Sequence, residues 1–269
     1  MKYTGIPFVA MKTVEDSQDV ESKSGLEIAI IGSKNEISEV KGAYVSGGYN
    51  ITKGTFRGVN VAGVCNSQST AGVSGRYGTT GGSKGVNLAG VCNLVDENAD
   101  GINVAGVYNR VSDCHSFGSH GVHIAGIANS IRRAEGLTLA GLVNSTDESI
   151  GVSVALLANA SKSYTGLTIA GLINDSYCGD GVSIAGLCNV NEMDAGGLQV
   201  AGGINYSHEV GCYHGKYLIQ ASILGNWVKE VSSDATVIQI GLYNRAGDRF
   251  CPVVNVKGIR NLFRRKKKK

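Results

Sequence analysis

From Gly25 to Asn205 the chain repeats one short pattern of apolar and polar positions. The clearest copies read GVNVAGVCN from Gly58, GVNLAGVCN from Gly85, GINVAGVYN from Gly101 and GVHIAGIAN from Gly121. They continue as GLTLAGLVN from Gly136, GVSVALLAN from Gly151, GLTIAGLIN from Gly166, GVSIAGLCN from Gly181 and GLQVAGGIN from Gly197. Two weaker copies, from Gly25 and Gly42, come before them. Two degenerate ones, from Ile219 and Ile238, come after. Counting the first Gly as position 0, positions 1 and 3 are apolar and position 2 is polar. That period of two predicts a strand with one buried face, and the β-branched residues at 1 and 3 suit a strand. Positions 1 and 3 are expected to face the core, and the polar column at position 2 to face solvent. In that column Thr138, Ser153, Thr168 and Ser183 follow one another on successive copies.

The alternation breaks at positions 4 and 5, usually Ala-Gly, where a bend is expected. Position 8 is Asn in all the Gly-started copies but the first, and Asn favours corners. Asn66, Asn93, Asn109, Asn129, Asn144, Asn159, Asn174 and Asn189 are therefore expected to form a ladder along one structural corner. Copies beginning at Gly121, Gly136, Gly151, Gly166 and Gly181 are spaced evenly by 15 residues, with longer spacings elsewhere. A fixed period with insertions at one phase is the signature of a stacked array. The fold expected is all-β, a β-solenoid of about 11–13 short coils with a 15–16-residue period. A helical repeat is disfavoured by Gly at positions 0 and 5, each costing about 1 kcal/mol in a helix. An antiparallel β-barrel or sheet is the alternative, since alternating segments also suit it.

The expected organisation has four parts. Residues 1–24 are a cap, and residues 25–205 are the solenoid, with insertions at 67–84 and 110–120. Residues 206–256 are degenerate repeats and a second cap, and residues 257–269 are a basic tail. Composition adds little to the fold: 39 Gly and only 2 Pro suit many turns between short strands, and 17% charge argues against disorder.

The units resemble those of the bacterial surface-repeat proteins, which read G-V-x-V-A-G-L-x-N. The resemblance covers about residues 25–205, and Ile238–Asn244 resembles their terminal form. It implies a repeat architecture and export, and carries no activity. The N-terminal segment MKYTGIPFVAMK has too short an apolar run for a signal sequence. A cytoplasmic location is expected, with the cell surface by an unrecognised route as the alternative. Seven Cys without a C-x-x-C pair also fit a reduced compartment. Cys65, Cys92 and Cys188 share position 7 with Ala, Val and Ile, so they read as structural thiols.

Chemistry-bearing residues are few. His115, His120 and His123, near Cys114, are a candidate metal group, and His208, Cys212 and His214 are a second. No nucleophile elbow, phosphate loop or zinc-protease motif occurs, so no enzyme, cofactor or small-molecule substrate is expected. The tail holds eight basic side chains and no acid. Arg264, Arg265, Lys266, Lys267, Lys268 and Lys269 are candidates for contact with an anionic membrane or nucleic acid. The function expected is a non-enzymatic structural or interaction scaffold presenting its repeat surface to a protein or another macromolecule. The alternative is a peripheral membrane or nucleic-acid associate recruited by the tail.

Overall fold

The computed structural model describes residues 22–69, 82–112, 118–211 and 216–258. The chain is a β-solenoid of about 12 parallel coils with a period of about 16 residues, and no helix occurs among the described residues. It divides into two compact units, residues 1–140 and 141–269.

The first unit holds β1 (Ser22–Ala29), β2 (Gly32–Ser46), β3 (Tyr49–Ala62), β4 (Cys65–Ser69), β5 (Gly82–Ala89), β6 (Cys92–Val95), β7 (Asn98–Ala105), β8 (Tyr108–Val111), β9 (Ser119–Ala125) and β10 (Ala128–Ala140). Pairing is parallel and locks each repeat position onto its equivalent. Gly25 faces Gly42, which faces Gly58, then Gly85, Gly101, Gly121 and Gly136. Parallel, in-register pairing between successive copies is what a coil stack requires. An antiparallel barrel would show the reverse.

The second unit holds β11 (Val143–Ala155), β12 (Ala158–Ala170), β13 (Ile173–Ala185), β14 (Cys188–Ala201), β15 (Ile204–Val210), β16 (Tyr217–Ser222), β17 (Gly225–Val231), β18 (Thr236–Gly241), β19 (Tyr243–Ala246), β20 (Arg249–Phe250) and β21 (Val253–Lys257). Gly151, Gly166, Gly181 and Gly197 stack in register. The stack continues through the degenerate copies from Ile219 and Ile238. Leu218 and Val237 continue the column of position 0, and Asn226 and Asn244 continue that of position 8. Among the described residues only β20 and β21 turn antiparallel, onto β19 and β18. Residues 206–256 thus hold further coils and the covering strands β20 and β21. Covering the last coil with reversed strands blunts an edge that would otherwise template aggregation.

The inserted segments are shorter than expected. Residues 67–69 and 82–84 belong to β4 and β5, and 110–111 and 119–120 to β8 and β9. The cap expected at 1–24 lies almost wholly outside the described residues.

The polarity of the strands is the reverse of the expected one. Asn60 at position 2 is 2% exposed, whereas Val59 beside it is 41% exposed. The same inversion holds for Asn87, Asn103, His123, Thr138, Ser153, Thr168, Ser183 and Gln199, all buried. The physical reason is the narrowness of the coil beside the bend. One amide side chain spans it: Asn159 Nδ2 donates to the carbonyl oxygen of Ser153 in its own coil at 3.4 Å and to that of Ile169 in the next at 2.7 Å. Ala fits at position 4, and Ala155, Ala170, Ala185 and Ala201 are buried there.

Burying so many polar groups is tolerable only if they bond to one another, and stacking supplies the partners. In the first unit the Asn column runs Asn50→Asn66→Asn93→Asn109→Asn129, each Nδ2 donating to the next Oδ1 at 2.9–3.3 Å. In the second it runs Asn144→Asn159→Asn174→Asn189→Asn205→Asn226→Asn244 at 2.7–3.0 Å. The expected corner ladder is thus present, and Asn50, Asn205, Asn226 and Asn244 join it. Its cause differs from the expected one. No Asn has a positive φ, and Val253 is the only non-glycine that does among the described residues. The Asn residues are chosen for the ladder, not for the turn.

Positive φ falls instead on position 0, for example Gly166 at 126° and Gly181 at 139°. A Cβ on Gly166 would run into the carbonyl oxygen of Gly151 on the preceding coil. Apolar side chains do pack inside, but on the side away from the bend. Val95, Ala99, Val111, Ile131 and Ala134 form one cluster, and Val210, Leu218, Val228 and Val237 belong to another.

Candidate interaction surface

With the polar residues inside, positions 1, 3, 6 and 7 point outward, and they are mostly aliphatic, with Tyr49, Tyr108 and three Cys at position 7. In the first unit this leaves Val59, Val64, Val91, Ile102 and Ile127 exposed. In the second, Leu157 is 38% exposed, Leu172 42%, Leu187 54%, Ile223 66% and Leu242 67%. Between Gly42 and Asn205 no Asp, Glu, Lys or Arg occupies any of positions 0–8 in a repeat. The charged residues sit on the segments between units, on the other side of the coil. Examples are Lys162 paired with Asp147 at 2.8 Å, and Arg133 with Glu135 at 3.0 Å. Each unit is therefore amphipathic in cross-section, with an uncharged aliphatic face and a charged polar face. Soluble monomers seldom expose contiguous apolar surface of this kind, and where they do it marks an interaction site.

The amides of the bend find partners on the preceding coil. The amides of Gly171, Leu172 and Ile173 donate to Ala155, Leu157 and Leu157 at 3.0–3.1 Å, so hydrogen bonds run from coil to coil even through the turn.

The histidines do not converge. His123 lies inside the coil in the column of position 2, with Nδ1 3.4 Å from Nδ2 of Asn103. Burial lowers its pKa to about 4, outweighing the Asp100 carboxylate and the Ser119 backbone, which act the other way. His120 lies outside, its ring between Asp100 (3.3 Å) and Glu135 (2.8 Å). The two are thus on opposite sides of one strand, because their separation of three residues is odd. His115 and Cys114 lie outside the described residues, as do Cys212 and His214. His208 Nε2 lies 2.9 Å from Lys229 Nζ, apart from His120 and His123 in the sequence and on another strand. No group of three metal-ligating side chains occurs among the described residues.

Cys65 and Cys92 are in register on successive coils, their sulfurs 2.8 Å apart with both thiols free. Burial and the neighbouring thiol push the Cys65 pKa up to about 12, and burial also raises that of Cys188. Such thiols are poor nucleophiles. The recess lined by Asn159, Ser161, Tyr164, Thr168 and Asn174 measures about 10 Å³, room for about one water molecule. Ligand pockets usually measure about 300–1,000 Å³. The residues Arg264–Lys269 lie outside the described residues. The described chain ends at Gly258, whose carbonyl accepts from the Thr236 hydroxyl at 3.0 Å.

Compared with known protein families, with curated proteins and with solved structures, the chain matches none. The aliphatic face has a signal in the sequence. Beyond the first copy the position-2 column contains Tyr, Asn, His, Ser, Thr and Gln but no charge, which is unusual for a solvated strand face and ordinary for an interior ladder.

Proposed function

We propose that this protein is a non-enzymatic interaction scaffold that docks through the outward aliphatic face of its coils. One observation carries the reading: the strands turn their amides and hydroxyls inward and their Val, Leu and Ile outward. That arrangement gives up the usual gain from burying aliphatic side chains, about 25 cal/mol per Å², unless a second surface covers them. The polar interior supports the same reading from the other side. Ladders of Asn and Gln hold the coils rigid through hydrogen bonds, as in cross-β stacks, so the outer face needs no part in holding the fold. A rigid face also loses little entropy on docking.

Docking is tested by placing a photo-crosslinking side chain at Leu172 on the aliphatic face and, separately, at Lys162 on the polar face, in cells. Discrete adducts, protein or lipid, are expected at 172 and not at 162. Equal labelling at both, or none at either, overturns the proposal.

A further inference from the structure

The outward column of position 7 brings two thiols together. In the first unit it runs Tyr49, Cys65, Cys92 and Tyr108 on four successive coils, each in register with the next. A tyrosine therefore stands on either side of the pair along the stack. Cys188 occupies the same column in the second unit, but its neighbours there are Ile173 and Ile204. Packing does not call for sulfur at this position, since Ala128, Val143, Ala158 and Ile173 fill it on other coils.

The backbone geometry suits a bond between the two. Paired strands hold the Cys65 and Cys92 backbones about 4.8 Å apart, inside the range of about 4.4–6.8 Å that a disulfide spans between its Cα atoms. The side chains also point at each other. Their sulfurs lie 2.8 Å apart, closer than the roughly 3.5–4.0 Å of two carbons in ordinary contact. A sulfur–sulfur bond measures about 2.05 Å, so closure needs a movement of under about 1 Å and no change of register. Both thiols are free and half-buried, and the column faces outward, where a small co-reactant meets it.

We propose that Cys65 and Cys92 are a redox-active pair that closes to a disulfide, with a low-molecular-weight disulfide such as glutathione disulfide as the oxidant, and so staples two successive coils. The inference needs only the two thiols and does not depend on the docking reading.

The chemistry runs in two exchanges. One cysteine loses its proton and attacks a sulfur of glutathione disulfide. A mixed disulfide forms, and one glutathione leaves and takes up a proton. The second cysteine then loses its proton and attacks the protein sulfur of the mixed disulfide. The bond between Cys65 and Cys92 forms, and the second glutathione leaves, protonated in turn. The chain is oxidised by two electrons and the small disulfide is reduced to two thiols; excess glutathione reverses both exchanges. Proximity favours the second exchange. Burial keeps the Cys65 thiol protonated at neutral pH, which slows the step that this thiol carries. The link closes the longest interval between successive copies, the 27 residues from Cys65 to Cys92. Restricting the unfolded chain over that interval makes the oxidised form the more stable one.

The experiment takes the reduced full chain through mixtures of glutathione and glutathione disulfide and maps its disulfides by mass spectrometry of unreduced peptides. A link between Cys65 and Cys92 is expected at roughly tenfold or greater abundance over any link to Cys188. The circular dichroism of the coils is expected to stay unchanged, the urea midpoint to rise, and excess glutathione to restore both thiols. Cys65→Ser is expected to hold glutathione on Cys92 without resolving it, whereas Cys188→Ser is expected to form the link as the parent does. Should Cys65→Ser unfold, the link in the parent chain and its reversal remain the readout. The proposal is overturned if the folded chain forms no such link in mixtures that oxidise a short peptide carrying two cysteines. A link that forms only in urea, or links spread evenly over Cys188 and the other cysteines, also overturn it. A link that lowers the urea midpoint removes the staple.

Discussion

The side-chain amide of Asn159 donates to that of Asn174 on the next coil at 2.9 Å, and the same nitrogen donates to the Ile169 carbonyl at 2.7 Å. Asn174 repeats the pattern toward Asn189 (3.0 Å) and Ile184 (2.7 Å). Each Asn thus ties two strands across the coil and two coils along the stack. Replacement of one Asn by an apolar residue of similar size removes its own donors and strips its neighbour of an acceptor, all in a buried site. Asn174→Val is expected to destabilise the chain by about 3 kcal/mol, since each orphaned buried group costs about 1–3 kcal/mol. Leu172→Ser, two residues away but outward, is expected to cost less than about 1 kcal/mol. Urea unfolding of the two variants checks both; equal losses would mean that the ladder is not what holds the coil.

That ladder shows how far the sequence can be read. Its column is visible because the same residue recurs at position 8, and recurrence at fixed phase is what stacking produces. The direction of the strand is not visible. A period of two says that Val152 and Ser153 point to opposite sides, but not which side is inside. The usual preference for buried aliphatics favours Val152, and the structure buries Ser153. What decides is the width of the coil beside the bend, a property of the closed turn and not of any one strand. The end of the stack is only partly legible, through the degenerate copies from Ile219 and Ile238, for a different reason. Gln220, Gln239 and Asn255 continue the inner column by donating to Gln199, Gln220 and Gln239 at 2.8–2.9 Å. They do so after the Gly that marks position 0 has given way to Leu218 and Val237.

Gly166 makes a sharper demand than the glycine of the bend. Its φ is 126°, and a Cβ there would meet the Gly151 carbonyl oxygen. Gly171 at the bend lies even closer to a carbonyl, that of Leu156, but its φ is not positive, so the sharper demand of Gly166 is one of backbone conformation. Moreover, Leu156 itself takes the place of the usual bend Gly one coil earlier and projects outward, so the bend accommodates a side chain. Gly166→Ala is expected to lower stability by about 2–3 kcal/mol, from strain at positive φ and loss of close coil contact. Gly171→Ala is expected to cost less. Thermal unfolding of the two variants side by side gives the comparison, and a larger loss at Gly171 would contradict it.

The two thiols at Cys65 and Cys92 yield a kinetic expectation. The Cys65 pKa, about 12 against an ordinary 9, leaves little thiolate at neutral pH. Alkylation of Cys65 in the folded chain is therefore expected to be slower than in urea by about a hundredfold or more, because the thiolate is the reacting species. Cys92→Val removes one of the causes, the neighbouring sulfur, and is expected to speed the reaction while leaving the coil folded. Mass spectrometry of timed alkylation at pH 8 reads both rates. Equal rates in folded and unfolded chain would refute the burial argument.

His123 makes stability depend on acidity in a stated window. Its folded pKa, about 4, lies below the ordinary 6.5 because burial disfavours the imidazolium. Below pH 6.5 the unfolded chain takes up a proton that the folded chain refuses, so stability is fully present above pH 6.5 and falls as the pH drops toward 4. The full loss from this one group amounts to about 3 kcal/mol, because each pH unit across that window is worth about 1.4 kcal/mol. Asn fits the same column, as Asn87 and Asn103 on the two preceding coils show. His123→Asn is expected to leave stability at pH 7.5 within about 1 kcal/mol of the parent, since an inner amide replaces an inner imidazole. It is also expected to flatten the decline between pH 6.5 and 4. Urea unfolding at pH 7.5, 5.5 and 4.5 measures it. His120→Asn serves as the control, because that ring lies outside between two carboxylates. If the His123 variant keeps the parent's slope, the acid sensitivity of the fold lies elsewhere.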